Sequence, residues 1–198
     1  IDVTAIQKGN SQNGNIADHI YGKEGSKVTL IEYADYQCPG CGGIQPVIKS
    51  ITEEYKDQIQ YVYRNFLLSY HNNAKAAAGA AEAAGLQGKY WEMHNLIFES
   101  QDEWNTLTGQ DRTDKFLSYA KKIGLDTNIF LTDMSSDEII AKINYDYALG
   151  KKAGVEATPS FYLNGVNISS DIWEDETKFK SAIDAELKKN GIPLPSEE

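Results

Sequence analysis

Cysteine is scarce, with only Cys38 and Cys41 in 198 residues. That is too few for a small domain scaffolded by disulfides, and a bridge between them would close almost no loop and add little stability. Positive charge is short as well. Lys and Arg total 19 against 29 Asp and Glu, for a net charge of −10. This balance argues against a protein that tracks nucleic-acid phosphates, which needs a basic face, and against docking on anionic lipid. Long apolar runs are missing. The longest, Ala76 to Ala81, contains Gly79 and falls far short of a membrane span, so the chain as given reads as soluble. Only His19, His71 and His94 could join the cysteines at a metal, and there is no HxxxH spacing or second CxxC. A four-ligand zinc site within one chain is therefore not expected, although a four-Cys site shared by two copies stays open. There is no nucleotide fingerprint or phosphate loop, and no bound organic cofactor is expected. No signal peptide is visible, yet the first residue is Ile1 and not Met, so a preceding segment is expected to have been removed.

What is present suits one full domain or one domain carrying an insertion. A chain of this length can bury roughly 70% of its unfolded surface without a metal or disulfide scaffold. Residues 8–26 are rich in Gly, Asn and Ser and read as an irregular lead-in. VTLIEY (28–33) and IQYVYR (59–64) have strand character. Between them Ile44, Val47, Ile48 and Ile51 recur at helical spacing up to Tyr55, although Gly40, Gly42, Gly43 and Pro46 weaken that helix. Pro46 is expected to kink it. From His71 to Gly154 nothing resembles a strand. Helices are predicted at 74–85, 89–100, 114–124 and 136–154. SFYL and VNI flank Asn164-Gly165, a strong hairpin signal, and a last helix is predicted from Asp175 to Lys189. The tail from Ile192 to Glu198 is expected to fray. His94, Trp91 and Trp104 read as packed core or interface residues, and DIWEDE (171–176) as a solvated helix start, not a calcium loop.

The chemistry concentrates at Cys38-Pro39-Gly40-Cys41, which lies between a predicted strand and a predicted helix. A helix beginning at the motif puts Cys38 at its N-terminus, where free N–H groups and the macrodipole favour a thiolate. Pro39 suits the first turn because it lacks an N–H that would be unpaired there. Cys38 is then the exposed nucleophile and Cys41 the more buried resolving thiol. Glu32 shares a strand face with Val28 and Leu30. If that face is covered, its carboxyl has a raised pKa and can exchange a proton with a neighbouring thiol; the alternative is a strand-edge carboxylate in water. Thr158-Pro159 precedes the hairpin, and by itself a proline there gives no reason to expect a cis bond.

The order of strand, CxxC helix, strand, helical block, Thr-Pro, hairpin and closing helix resembles the thioredoxin fold. With its helical block the chain is similar to the DsbA-like thiol-disulfide oxidoreductases. VTLIEYADYQCPGC, FLLSYHNNAKAAAGAAEAA, YWEMHNLIF and GVEATPSFYLNG carry the resemblance, which spans most of residues 18–168. It implies an α/β thioredoxin-like fold whose central mixed sheet is flanked by helices. Residues 1–65 would form the N-terminal part with the CPGC motif, 66–154 an inserted all-helical subdomain, and 155–198 the C-terminal part. The resemblance also implies that Cys38 forms the mixed disulfide with a client protein and Cys41 resolves it. Pro159 would be cis and face the pair, the Thr158 backbone would pair with an extended client segment, and Glu32 would be the buried acid. Two departures are visible. Pro39-Gly40 stands where strongly oxidising members carry a His, which predicts a milder oxidant. Phe66 is followed by Leu67 and Leu68, where the family often has a proline.

The reading that follows is an extracytoplasmic protein disulfide oxidoreductase, periplasmic, cell-surface or membrane-anchored, and monomeric. It would introduce disulfides into reduced secreted client proteins and be recharged by a quinone-linked membrane reoxidase. The absence of any third cysteine suits an oxidising compartment, where a spare thiol is a liability. Two alternatives stay open. One is a reductase or isomerase of the same fold. The other is a peptide-binding module in which the CPGC bridge is inert.

Overall fold

The computed structural model describes residues 5–195. Five strands form a single mixed sheet in the order β1-β3-β2-β4-β5, with β1 at Ile20–Gly22, β2 at Thr29–Ala34, β3 at Gln60–Asn65, β4 at Ser160–Leu163 and β5 at Val166–Ile168. β2 and β3 run parallel and are joined by α1 (Pro39–Glu54), the strand-helix-strand unit expected from the sequence. β4 pairs antiparallel with the other side of β2, and β5 continues the hairpin. At its tip Asn164 and Gly165 both have positive φ, 45° and 81°, as a two-residue hairpin joint requires.

Between β3 and β4 lie α2 (Ala74–Leu86), α3 (Tyr90–Glu99), α4 (Gln101–Trp104), α5 (Gly109–Lys122), α6 (Thr127–Asp133) and α7 (Asp137–Ala153). After the hairpin come α8 (Ser170–Trp173) and α9 (Glu176–Lys189). Alanine and glycine let α2 sit deep among its neighbours. A Cβ at Gly79 would lie 2.2 Å from the Met134 carbonyl oxygen, so only glycine fits that crossing.

Both faces of the sheet are covered, which explains why β2 is buried along nearly its whole length. Leu30, Tyr61, Tyr63, Phe161 and Leu163 pack in the main core with Ile48 and Ile51 of α1 and Phe179, Ile183 and Leu187 of α9. Ile31, Tyr33, Val62 and Tyr162 face the other way and are covered by Leu149 of α7, with Phe66 and Val155.

Some elements differ from the sequence reading. The lead-in at 8–26 contains a 3-10 turn at Ser11–Asn13 and the strand β1, which is three residues long and too short to show an alternating pattern. α5 begins at Gly109, five residues before the predicted start. α6 is set by Asp126, whose carboxylate accepts from the N–H groups of Asn128 and Ile129. Ile192 of the tail packs on the core, while residues 196–198 lie outside the described residues. The helix around Pro46 runs unbroken from Pro39 to Glu54. Among the described residues no helix is long and apolar enough to cross a membrane.

Candidate active site

Cys38 is the N-cap residue of α1, in an extended conformation, with Pro39 at the first helical position. Its N–H donates to the Asp35 carbonyl (3.0 Å), and its own carbonyl accepts from Gly42 N–H (3.0 Å). Both cysteines are free thiols. Cys38 is 8% exposed and Cys41 is fully buried. The order of exposure matches the sequence reading, but Cys38 is far more covered than an exposed nucleophile would be. The cover comes from the segment before β4, where the Thr158–Pro159 peptide bond is cis and the Cys38 thiol donates to the Thr158 carbonyl at 3.6 Å.

The two sulfurs have opposite electrostatics. The Cys41 thiol hydrogen-bonds the Cys38 sulfur and, with the N–H groups of Cys41 and Gly40, brings the Cys38 pKa down to about 5. Burial works against this and is outweighed. Cys41 is pushed well above the ordinary thiol range by burial first, then by its bond to Cys38 and the charges of Cys38 and Glu32. The N-terminus of a helix therefore holds one sulfur as thiolate and the other as thiol.

Glu32 lies on the same face of β2 as Leu30 and is fully buried, so the water-exposed alternative does not apply. Burial raises its pKa to about 7, against the hydrogen bonds that favour the ionised form. Those bonds come from the Tyr61 hydroxyl and from Gln45 Nε2, 3.4 Å from each carboxyl oxygen. Gln45 is four residues beyond Cys41 and so falls on the same face of α1. That spacing was readable in the sequence; the Tyr61 contact, which depends on the pairing of β2 with β3, was not.

Pro39 and Gly40 are exposed. A Cβ at Gly40 would meet Pro159 Cδ at 3.7 Å and Cys38 Sγ at 3.8 Å, ordinary contacts, so a side chain here would lie between the sulfur and the cis-proline. The structure thus brings Cys38, Cys41, Pro39, Gly40, Thr158, Pro159 and Glu32 into one site.

Sequence reasoning missed the side chains that fix the turn. Gln101 Nε2 reaches from α4 to donate to the carbonyls of Tyr36 (2.7 Å) and Cys38 (3.0 Å). The Asp35 carboxylate accepts from Gln37 N–H, Leu68 N–H and His71 Nδ1, all within 2.8–2.9 Å. Asn73 N–H donates to the Gln37 side-chain oxygen, and Asn73 Nδ2 donates to the carbonyls of Trp104, Asn105 and Leu107. Apart from the local Asp35–Gln37 turn these contacts are long-range, and no local pattern marks them. His94 is buried and neutral, its pKa brought down to about 3 by burial and then by the charge of His19, with Nδ1 2.9 Å from the Tyr36 hydroxyl. Among the described residues no three His, Cys, Asp or Glu side chains are placed to hold a metal ion.

The family model described as "Thioredoxin" matches residues 14–185. Among solved structures, the chain is similar to alpha-DsbA1 from Wolbachia pipientis, with 26% identity, a TM-score of 0.75, and 87% of this chain and 92% of that one covered. It is also similar to a thioredoxin-like oxidoreductase from Silicibacter pomeroyi DSS-3, at 26% identity and TM-score 0.71, covering 90% and 98% of the two chains. BdbD from Bacillus subtilis shares the fold at 23% identity and TM-score 0.73, covering 93% and 98%. Among curated proteins, the "Na(+)/H(+) antiporter NhaA 3" of Salinispora tropica is 36% identical over 149 residues. That match takes in 75% of this chain, which spans 22% of the antiporter's length. Antiport is a property of that longer protein.

Proposed function

The chain belongs to the thioredoxin family, as a domain of the DsbA type of thiol-disulfide oxidoreductase, and from that premise we propose that it donates its Cys38–Cys41 disulfide to reduced client proteins. A client thiolate attacks Cys38 Sγ, and Cys41 leaves as a thiolate that takes a proton from Glu32. A second client thiolate then attacks the client sulfur of this mixed disulfide, and Cys38 leaves as a thiolate. The client loses two electrons and the enzyme pair gains them. Thr158 offers its backbone to an extended client segment beside Cys38, in the manner of strand addition, and Pro159 limits how that segment approaches.

One observation carries the direction of transfer. The reduced pair is stabilised by a Cys38 thiolate held at about 5, through the Cys41 thiol first and then the helix N–H groups. A stabilised reduced form makes the disulfide the stronger oxidant. Gly40 offers that sulfur only its backbone N–H and no side-chain charge or hydrogen bond, so the proposed enzyme is milder than one with a His there. We place its work outside the cytoplasm, on secreted clients, as a monomer recharged by a quinone-linked membrane partner. A chain whose only cysteines are the active pair is suited to such a compartment.

The test equilibrates the pair against graded glutathione buffers and reads it by thiol labelling. A potential between about −170 and −100 mV is expected of a disulfide donor. A value near about −270 mV would make the protein a reductase, and a pair that does not exchange would leave a peptide-binding module.

A further inference from the structure

Glu32 has no direct contact with solvent, yet each turnover in the proposed function takes one proton from it and must return one. On the active-site side the way out is closed by buried Cys41 and by Cys38, which a client covers during the reaction. The titratable groups around Glu32 are Tyr61 and Tyr63 from β3, Tyr36 beyond β2, and Cys38 and Cys41 from α1. β4 presents only Phe161 across from it.

Its two hydrogen-bond partners lead away from the active site. Gln45 and Tyr61 both line a pocket of about 140 Å³ between α1, β1 and α3, together with Thr52, His94 and Asn95. Tyr21, Lys49 and Glu53 also line it, where the Tyr21 hydroxyl donates to the exposed Glu53 carboxylate. The space is large enough for several water molecules, and amide, hydroxyl, imidazole and charged groups line it as partners for them. Tyr61 thus touches the carboxyl on one side and borders a polar, solvent-connected space on the other.

We propose that Glu32 exchanges its proton with solvent through this pocket, with the Tyr61 hydroxyl as the relay and Gln45 as the positioning residue that holds the carboxyl against it. When Glu32 has given its proton to the Cys41 thiolate, Tyr61 passes its hydroxyl proton to the carboxylate and takes one from pocket water. No net charge stays on the tyrosine. In the reverse direction, while the pair is being recharged, Glu32 first releases its proton along the same path and then takes the one that Cys41 gives up. The inference rests on the proposed role of Glu32, and the test separates the two.

The step that converts the enzyme disulfide into a mixed disulfide with a single-thiol peptide is followed by stopped flow across final pH, in ordinary and heavy water, starting from enzyme held at alkaline pH so that Glu32 is ionised and must first reload its proton. Three variants are compared with the parent. Glu32→Gln removes the proton store. Tyr61→Phe removes the relay and keeps the ring that fills the core. Asn95→Trp fills the pocket from its rim without touching Glu32, and circular dichroism checks that each variant folds. Tyr61→Phe and Asn95→Trp are each expected to slow the step roughly tenfold near neutral pH and to enlarge the solvent isotope effect. A small buffer acid that enters the pocket is expected to restore part of the Tyr61→Phe rate. If Glu32→Gln slows the step while Tyr61→Phe and Asn95→Trp match the parent, the role of Glu32 stands and the path is wrong. A Tyr61→Phe effect without an Asn95→Trp effect would also overturn the path, by making Tyr61 only a hydrogen-bond partner. If Glu32→Gln itself changes neither rate nor pH profile, the role of Glu32 falls and the path with it.

Discussion

Glu32 is the side chain whose setting has the clearest consequence for stability. Its carboxyl titrates near 7 when folded, because burial outweighs the bonds from Tyr61 and Gln45, against 4.5 ordinarily. Between these two values the unfolded chain ionises at this position and the folded chain does not. The folded state therefore loses stability as pH rises from 4.5 to about 7, by about 3 kcal/mol at full extent. Glu32→Gln is expected to stabilise the protein by up to that amount at about pH 8 and to leave it nearly unchanged at about pH 4, in urea denaturation. An equal shift at both pH values would mean that charge is not the cause. Much at this scale was legible. CPGC and Thr-Pro are contiguous motifs, and alternation along β2 placed Glu32 beside Leu30. Its partners were less so, because Tyr61 comes from a second strand whose register no local pattern sets.

Among the elements, α1 and α4 meet at a point where glycine is needed for room. A Cβ on Gly42 would lie 2.6 Å from Gln101 Oε1, so the missing side chain is what lets Gln101 reach the carbonyls of Tyr36 and Cys38. Gln101→Ala is expected to cost about 1–2 kcal/mol through two lost hydrogen bonds. Adding Gly42→Ala to Gln101→Ala then meets no clash and is expected to restore up to about 1 kcal/mol through helix propensity. Gly42→Ala alone is expected to give no such gain. Denaturation of the single and double variants checks this, and equal gains in both backgrounds would sink the steric account. The helix predicted after CPGC is present because tertiary contacts of this kind hold a stretch with three glycines and an internal proline. The long amphipathic helices were readable from their spacing. The short ones, α4, α6 and α8, were not, since four to seven residues carry too little periodicity to stand out.

Across the whole molecule, a buried network of charges ties the N-terminal segment to the sheet and to the helices between β3 and β4. Asp18 pairs with Arg64 (2.7 Å) and Lys142 (3.0 Å), Lys142 pairs with Asp146 (2.7 Å), and Asn65 Nδ2 donates to Asp146 (3.1 Å) and Glu82 (2.9 Å). Glu82 in turn meets His19 at 2.8 Å. Lys142→Met would leave two buried carboxylates short of their cation and is expected to cost about 3–5 kcal/mol in urea denaturation. A loss under about 1 kcal/mol would show that the network reorganises around the gap. None of these partners is close in sequence except Lys142 and Asp146, one helical turn apart, so the network was not readable, although the order of strands and helices was. The same topology bears on how the chain is made. Cys38 and the Thr158 carbonyl that covers it are 120 residues apart. At a synthesis rate of about 5–20 residues per second, the dithiol is out for roughly ten seconds before its cover exists. A newborn chain therefore passes through a period in which its thiols stand without the segment that later packs over Cys38.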